Sequence, residues 1–244
     1  MTTSAAARAN AGAPRVHRLV RLFGASIGRK LVAAATGAGL IVFLFGHLFG
    51  NLKVFQGQDA LNSYAAWLQG HPLLWVARVG LLAIFVTHVY TTVTLAVDNR
   101  RARPVRYDEY RPTRSSFASR YMLLSGLVVL AFVVYHLLHF TFGVIDSANT
   151  RLLEPSGRLD VYSSVVRSFR NPWIAWSYVV SIGLLGLHLA HGITSAFQTA
   201  GVHHESYNKL VKVTAAVIIG LLVIGNWSMP LLILAGKVPL AGGM

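Results

Sequence analysis

Six of the ten histidines, His47, His88, His136, His139, His188 and His191, lie inside long runs of apolar residues. An imidazole there is costly, because an ionisable side chain in hydrocarbon loses its hydration. It is retained where it bonds a neighbouring helix, relays a proton or binds a metal. One such histidine is readily explained as an interhelical hydrogen bond. Histidines in four successive apolar segments are not, and their spacing narrows the chemistry. Counted from the start of each segment, His47, His88, His136 and His188 fall about 16–18 residues in, roughly 24–27 Å along a helix. Successive membrane helices run in opposite directions, so equal distance means alternate ends. His47 therefore shares one depth with His136, and His88 shares the other with His188.

Two imidazoles at each of two depths exclude most metal sites. A carboxylate-bridged iron centre needs Glu within the helices, and none of these segments contains Asp or Glu. Zinc needs three or four converging ligands. The absence of cysteine removes disulfides, thiolate-held clusters and Cys-rich zinc sites. Haem needs one axial imidazole on each face and small residues beside it. Two pairs of histidines match bis-histidine ligation of two haems, and Gly46, Gly50, Gly80, Gly126, Gly143, Gly186 and Gly192 lie close to them in the chain. The same glycines also suit close helix packing.

The elements that carry these residues follow from composition. The chain has 244 residues, 54% of them hydrophobic and 12% charged, with a mean hydropathy of +0.54. A soluble domain carries about 25% charged residues. Uncharged runs longer than about 18 residues predict an all-α, multi-pass membrane protein. Five spans are expected, near 31–52, 72–97, 118–143, 172–199 and 210–235. Asn171-Pro172 supplies a cap and first-turn proline for the fourth. Residues 1–29 form a basic tail without a secretory apolar core, in which 15–23 (RVHRLVRLF) suits a short surface helix; a mitochondrial transit peptide has a similar composition. The bundle occupies 30–236, a tail follows over 237–244, and the loop 144–171 is expected to pack over the outer bundle end.

The net charge of +14 reads as topology rather than nucleic-acid binding. Of the 22 Lys and Arg residues, 15 lie in Arg8–Lys30, Arg100–Arg120 and Lys209–Lys212, all on one side of the five-span arrangement. That places the N-terminus in the cytoplasm and the C-terminus outside. The same surface suits anionic lipid headgroups or an acidic partner subunit.

The stretches GHLFGNLKVF (46–55), THVYTTVTL (87–95), VVYHLLHFTFGV (133–144) and GLHLAHGITSAFQTAGV (186–202) resemble the di-haem cytochrome b anchor of bacterial succinate dehydrogenase and fumarate reductase. The resemblance extends over about residues 26–235, including SIGRKLVAAATG and DVYSSVVRSFRNPWIAWSYV. It implies five helices and His47, His88, His136 and His188 as axial ligands to haem iron. His88 and His188 would serve a proximal haem near the cytoplasmic iron–sulfur subunit, and His47 and His136 a distal one. The His-x-x-x-Gly pattern selects His188, with Gly192 four residues on, over His191. His139 and His191 follow ligands by three residues and stand as alternative ligands, or as partners of a propionate, a helix or a quinone.

The implied function is electron transfer from an iron–sulfur subunit, itself served by a flavoprotein, through two haems b to a membrane quinone, menaquinone in this resemblance. The chain would sit in the cell's inner (plasma) membrane. It carries no dinucleotide fingerprint, so succinate chemistry belongs to a partner. Arg29 and Lys30 suit the proximal propionates. Arg78, inside the second span about one and a half turns from its outer end, suits the distal propionates or snorkels to headgroups. Ser26 with Arg29 or Lys30 loosely resembles the quinone contacts of mono-haem anchors; alternatively Ser26 caps the first helix. Competing functions are the anchor of another respiratory dehydrogenase, a histidine-relay transporter without haem, and a purely structural anchor.

Overall fold

The structure is a computed structural model that describes residues 24–102, 121–202 and 204–240. In chain order its helices are α1 (Ser26–Asn51), α2 (Gln58–Gly70), α3 (Leu73–Arg101), α4 (Met122–His136), α5 (Val161–Arg170), α6 (Pro172–Thr199) and α7 (Glu205–Leu234). A 3₁₀ turn, Leu52–Gln56, prolongs α1, and a π turn, Leu137–Thr141, prolongs α4. Five helices (α1, α3, α4, α6 and α7) are long and apolar enough to cross a membrane. The fold is thus an all-α bundle of five candidate spans. The predicted surface helix at 15–23 and the basic loop around 103–120 lie outside the described residues.

Cross-bundle contacts fix the directions. Thr36 on α1 meets His88 on α3, while Gly39 meets Ile84. Ser125 on α4 meets His188 on α6, while His136 meets Tyr178. Rising numbers on one helix meet falling numbers on its partner, so each pair is antiparallel. Helix α6 is the centre, packing against α1, α4, α5 and α7. Its Gly186 permits a close approach: a Cβ there would come within 2.8 Å of Val223 Cγ2 on α7. Trp227 on α7 donates its indole N–H to the Val179 carbonyl of α6 at 2.8 Å. Helices α3 and α4 instead expose Val76, Val79, Leu82, Val86, Leu124 and Leu127, the wall expected to face lipid.

The helix ends obey local chemistry. Asn171 accepts from the Trp173 N–H and Pro172 opens the first turn of α6, as expected. Gly201 and Gly236, at φ 82° and 70°, close α6 and α7. The amides of Val202 and Lys237 reach back to Phe197 and Leu232, a left-handed stop that glycine adopts without strain. Helix α1 begins at Ser26 rather than near 31, with Ala25 at its cap position. Ser26 therefore does not cap this helix, contrary to one of its two expected roles.

The loop regions depart furthest from expectation. Residues 144–171 do pack over one bundle end, but they contain a helix, α5, and the preceding connection contains α2. Asp160 caps α5 through the Ser163 N–H at 3.0 Å, and Tyr162, Val166 and Phe169 form its buried stripe. Asn62 of α2, fully buried, joins the two segments. Its amide nitrogen donates to Glu154 and Asp160 at 2.6 and 2.9 Å, and its oxygen accepts from the Tyr162 N–H at 2.9 Å. Arg158 adds bonds to Glu154, Asp59 and Ser63. The last described residues also belong to this lid rather than to a free tail: Val238 is buried, and the Tyr162 hydroxyl donates to Pro239 O at 2.8 Å.

This lid carries a pH dependence. Hydrogen bonds from Arg158 and then Asn62 hold the Glu154 carboxyl below its usual range. Burial pushes Asp160 upward, but bonds from Ser163, Asn62 and Gln58 outweigh it and leave a net decrease. A carboxyl depressed in the folded state stabilises that state fully above its unfolded pKa, and the contribution is lost as pH falls through the folded value. The unfolded values lie near 4. The apparent Tm in detergent is expected to be insensitive to these two groups above about pH 5 and to fall below about pH 4, with a smaller acid-side fall in Glu154→Gln. An identical acid profile in that variant would show that the lid carboxylates do not govern it.

Candidate functional site

The structure brings His47 of α1 and His136 of α4 together. Their ring centroids are 5.7 Å apart with planes at 90°, and His47 stacks on Phe43 at 5.5 Å. Metal–imidazole bonds of about 2 Å on opposite sides of one metal separate the two ring centroids by roughly 6 Å. That separation would admit a metal held by both imidazoles, and it is also the ordinary spacing of an edge-to-face aromatic pair. His136 also bonds the Tyr178 hydroxyl through Nδ1, at 3.4 Å.

His88 on α3 and His188 on α6 lie farther from that bundle end: they meet Thr36 of α1 and Ser125 of α4, each eleven residues before His47 and His136 on the same helices. The hydrogen bonds assign their tautomers. His88 Nδ1 lies 3.2 Å from the Ala33 carbonyl and 3.1 Å from Thr36 Oγ1. A carbonyl only accepts, so Nδ1 carries the proton and Nε2 presents a lone pair. The Thr36 hydroxyl spends its own proton on Val32 O at 2.7 Å and accepts from the ring. Likewise, Ser125 donates to Met122 O at 2.9 Å and faces His188 Nδ1 at 3.1 Å, leaving His188 Nε2 bare. Metal-ligating histidines are held this way, their second nitrogen donating to a carbonyl or other acceptor. Thr36 and Ser125 are partners the sequence did not single out, because threonine and serine are frequent in membrane helices and only the helix pairing selects among them.

Small residues press on His88 and His188. A Cβ at Gly37 would lie 3.2 Å from His88 Cε1, and one at Gly126 would lie 3.3 Å from His188 Cε1. Of the glycines noted in the sequence, Gly126 thus touches a predicted ligand, and Gly37 joins it unannounced. Gly46 and Gly80 face open space, Gly192 lies near Met122, and Gly50 and Gly186 admit Tyr64 and Val223. Gly143, at φ 65°, turns the chain beneath Arg151. Beside His88, an apolar groove of about 540 Å³ runs between α3 and α4, lined by Phe85, Val89, Val93 and Leu130 among others. That size falls within the range of small-molecule pockets.

His139 is fully buried with both ring nitrogens engaged, Nδ1 by Tyr178 at 2.9 Å and Nε2 by Ser168 at 3.2 Å. It has no free lone pair to offer a metal. His191 is half-buried, and its ring makes no hydrogen bond among the described residues.

The cations sort differently. Arg29 forms an ion pair with Asp98 at 2.7 Å, joining α1 to α3, yet its Nε is buried with no hydrogen-bond partner among the described residues. It lies two turns from Thr36, toward the helix start. Lys30 and Ser26 are exposed. Arg78 is exposed and its guanidinium covers the Trp75 ring at 5.0 Å, the arrangement of a snorkelling anchor. Trp67, Trp75, Trp173 and Trp176 are exposed at that same bundle end, as tryptophans are at membrane–water interfaces.

His47 and His136 thus form a ring pair near one bundle end, while His88 and His188 are held deeper in the bundle by Thr36 and Ser125. Among the described residues no group of three or more His, Asp or Glu is placed to hold a metal ion. Comparison of the chain with family models, curated proteins and solved structures finds no match.

Proposed function

We propose that the chain is the di-haem cytochrome b anchor of a succinate:quinone oxidoreductase. The observation that carries this reading is the histidine geometry: His47 and His136 at a separation that would admit a metal between them, and His88 and His188 with Nδ1 committed and Nε2 free. Bound haem would supply one-electron carriers with both axial positions filled, which suits electron transfer and disfavours oxygen chemistry. The chain's own part is to hold two imidazoles on each iron, to fix their tautomers through Thr36, Ser125 and Tyr178, and to seal the site from water. The Nε of Arg29 is suited to an anionic propionate on the His88 side. Exposed Lys30 and Ser26 at the same end suit headgroups or a quinone. The soluble iron–sulfur and flavoprotein subunits would dock on this basic end, in the cytoplasm, and the quinone, menaquinone in this reading, would be reduced within the membrane.

The test is a reduced-minus-oxidised spectrum with pyridine haemochrome quantitation on the complex purified through this chain. Two b-type haems per chain, reduced on addition of succinate, are expected, together with a copurifying flavoprotein. Haem that succinate leaves oxidised would assign the anchor to another respiratory dehydrogenase. A colourless preparation would overturn the haem reading and favour a transporter or a structural anchor.

A further inference from the structure

We infer that Asp146, acting through Ser168, His139 and Tyr178, is the anchor of a hydrogen-bond chain that sets the proton position and electron-donating strength of His136. The inference rests on the di-haem reading and deepens it at one ligand.

The direction of every bond follows from the carboxylate, which only accepts. Ser168 Oγ donates to Asp146 Oδ2 at 2.7 Å, so its lone pair must accept from His139 Nε2–H at 3.2 Å. His139 Nδ1 is then unprotonated and accepts from the Tyr178 hydroxyl at 2.9 Å. The Tyr178 oxygen, its proton spent, accepts from His136 Nδ1–H at 3.4 Å. The chain ends at His136 with its Nδ1 proton donated to Tyr178 and a lone pair left on Nε2.

Three local features hold this chain, and none is needed merely to bury a histidine. His139 sits on the π turn Leu137–Thr141, which shifts the helix register after His136; such turns are frequent at functional sites. Asp146 is held at φ 55°, a conformation costly for a non-glycine residue, with Asn149 Nδ2 donating to its other oxygen at 2.8 Å. His139 and Ser168 are completely buried and Tyr178 nearly so, so water does not interrupt the links. The other three imidazoles lack such a carboxylate: His88 and His188 donate to neutral oxygens, and His47 makes no hydrogen bond among the described residues.

A carboxylate at the end of such a chain draws the His136 Nδ1 proton outward and makes Nε2 a stronger donor. That favours the oxidised iron and lowers the potential of the haem on the His47–His136 pair, the lever known for outer-shell partners of metal-bound histidine. Asp146, Ser168, His139 and Tyr178 are therefore positioning residues.

The test compares Asp146→Asn, Ser168→Ala and Ser168→Thr in the purified complex by potentiometric titration of both haems, with haem content measured alongside. Both Asp146→Asn and Ser168→Ala are expected to keep two haems and to raise one midpoint potential, that of the haem lost in His136→Ala, while Ser168→Thr restores the wild-type value. A shift in Asp146→Asn without one in Ser168→Ala would mean a through-space charge effect and would overturn the chain. So would unchanged potentials in both. If Asp146→Asn fails to fold, the Ser168 pair decides, and Tyr178→Phe breaks the same chain without touching the loop. Absence of haem from the wild type is a different failure, that of the di-haem reading itself.

Discussion

His188→Ala is expected to leave the complex with about half its haem, and His47→Ala, His88→Ala and His136→Ala are each expected to do the same. The argument is geometric. In the di-haem reading each of the four imidazoles belongs to one pair, and the two pairs lie at different positions along the helices, so loss of one ligand would remove one haem. His88→Ala and His188→Ala should abolish the same spectral component, and His47→Ala and His136→Ala the other. Haemochrome quantitation and the split of the reduced α-band measure both statements. His139→Ala is expected to retain two haems, because both His139 nitrogens are already bonded to Tyr178 and Ser168. His191→Ala is also expected to retain them. Full haem in His188→Ala with loss in His191→Ala would move the ligand by one turn and overturn the assignment made from Ser125.

The largest effect on stability is expected at Asn62, which no haem would touch. Asn62→Ala removes, in one substitution, two donors to carboxylates and the acceptor for a buried backbone N–H. Leaving a buried polar group unsatisfied costs about 1–3 kcal/mol, more for a charged one. Glu154 and Asp160 keep Arg158, Gln58 and the Ser163 N–H, which limits the loss. A total of roughly 3–4 kcal/mol results, near the upper end for a single substitution, and corresponds to a fall of about 10 °C in apparent Tm for a chain of this size. Asn62→Asp should be no better: it keeps an acceptor for Tyr162 but turns a third carboxylate toward Glu154 and Asp160. A thermal melt of both variants in detergent reads the result, with haem content unchanged below the transition. A shift of no more than one or two degrees would show that α2 and α5 are held by apolar packing alone.

The contrast between these two experiments marks where the chain was legible. The spans were readable because lipid imposes one requirement on every residue of a spanning helix: internal backbone bonding and an apolar surface. Residues 172–199 matched their helix to the residue because Asn171-Pro172 is a local signal. The His47–His136 pairing was readable because distance along a helix converts to depth. Helices α2 and α5 were not readable. Their inward faces carry Asn62, Ser163, Ser164 and Ser168, polar residues that resemble a loop until their partners in the other segment are known. Arg29 was read as a propionate partner; the structure adds Asp98, on another helix, as a partner of its head group.

The sequence by itself determined the bundle of five candidate spans, the position of each histidine along its helix and the absence of cysteine, because these depend on residue type and on distance along one helix. Only the tertiary structure decided which nitrogen of His88, His136 and His188 is free, that His139 is engaged on both sides, and that Asp146 stands behind His136. Those facts depend on hydrogen bonds between residues 22 to 63 positions apart in the chain. A hydrogen bond acts over about 3 Å, and only the packing of one helix against another brings such residues within that reach.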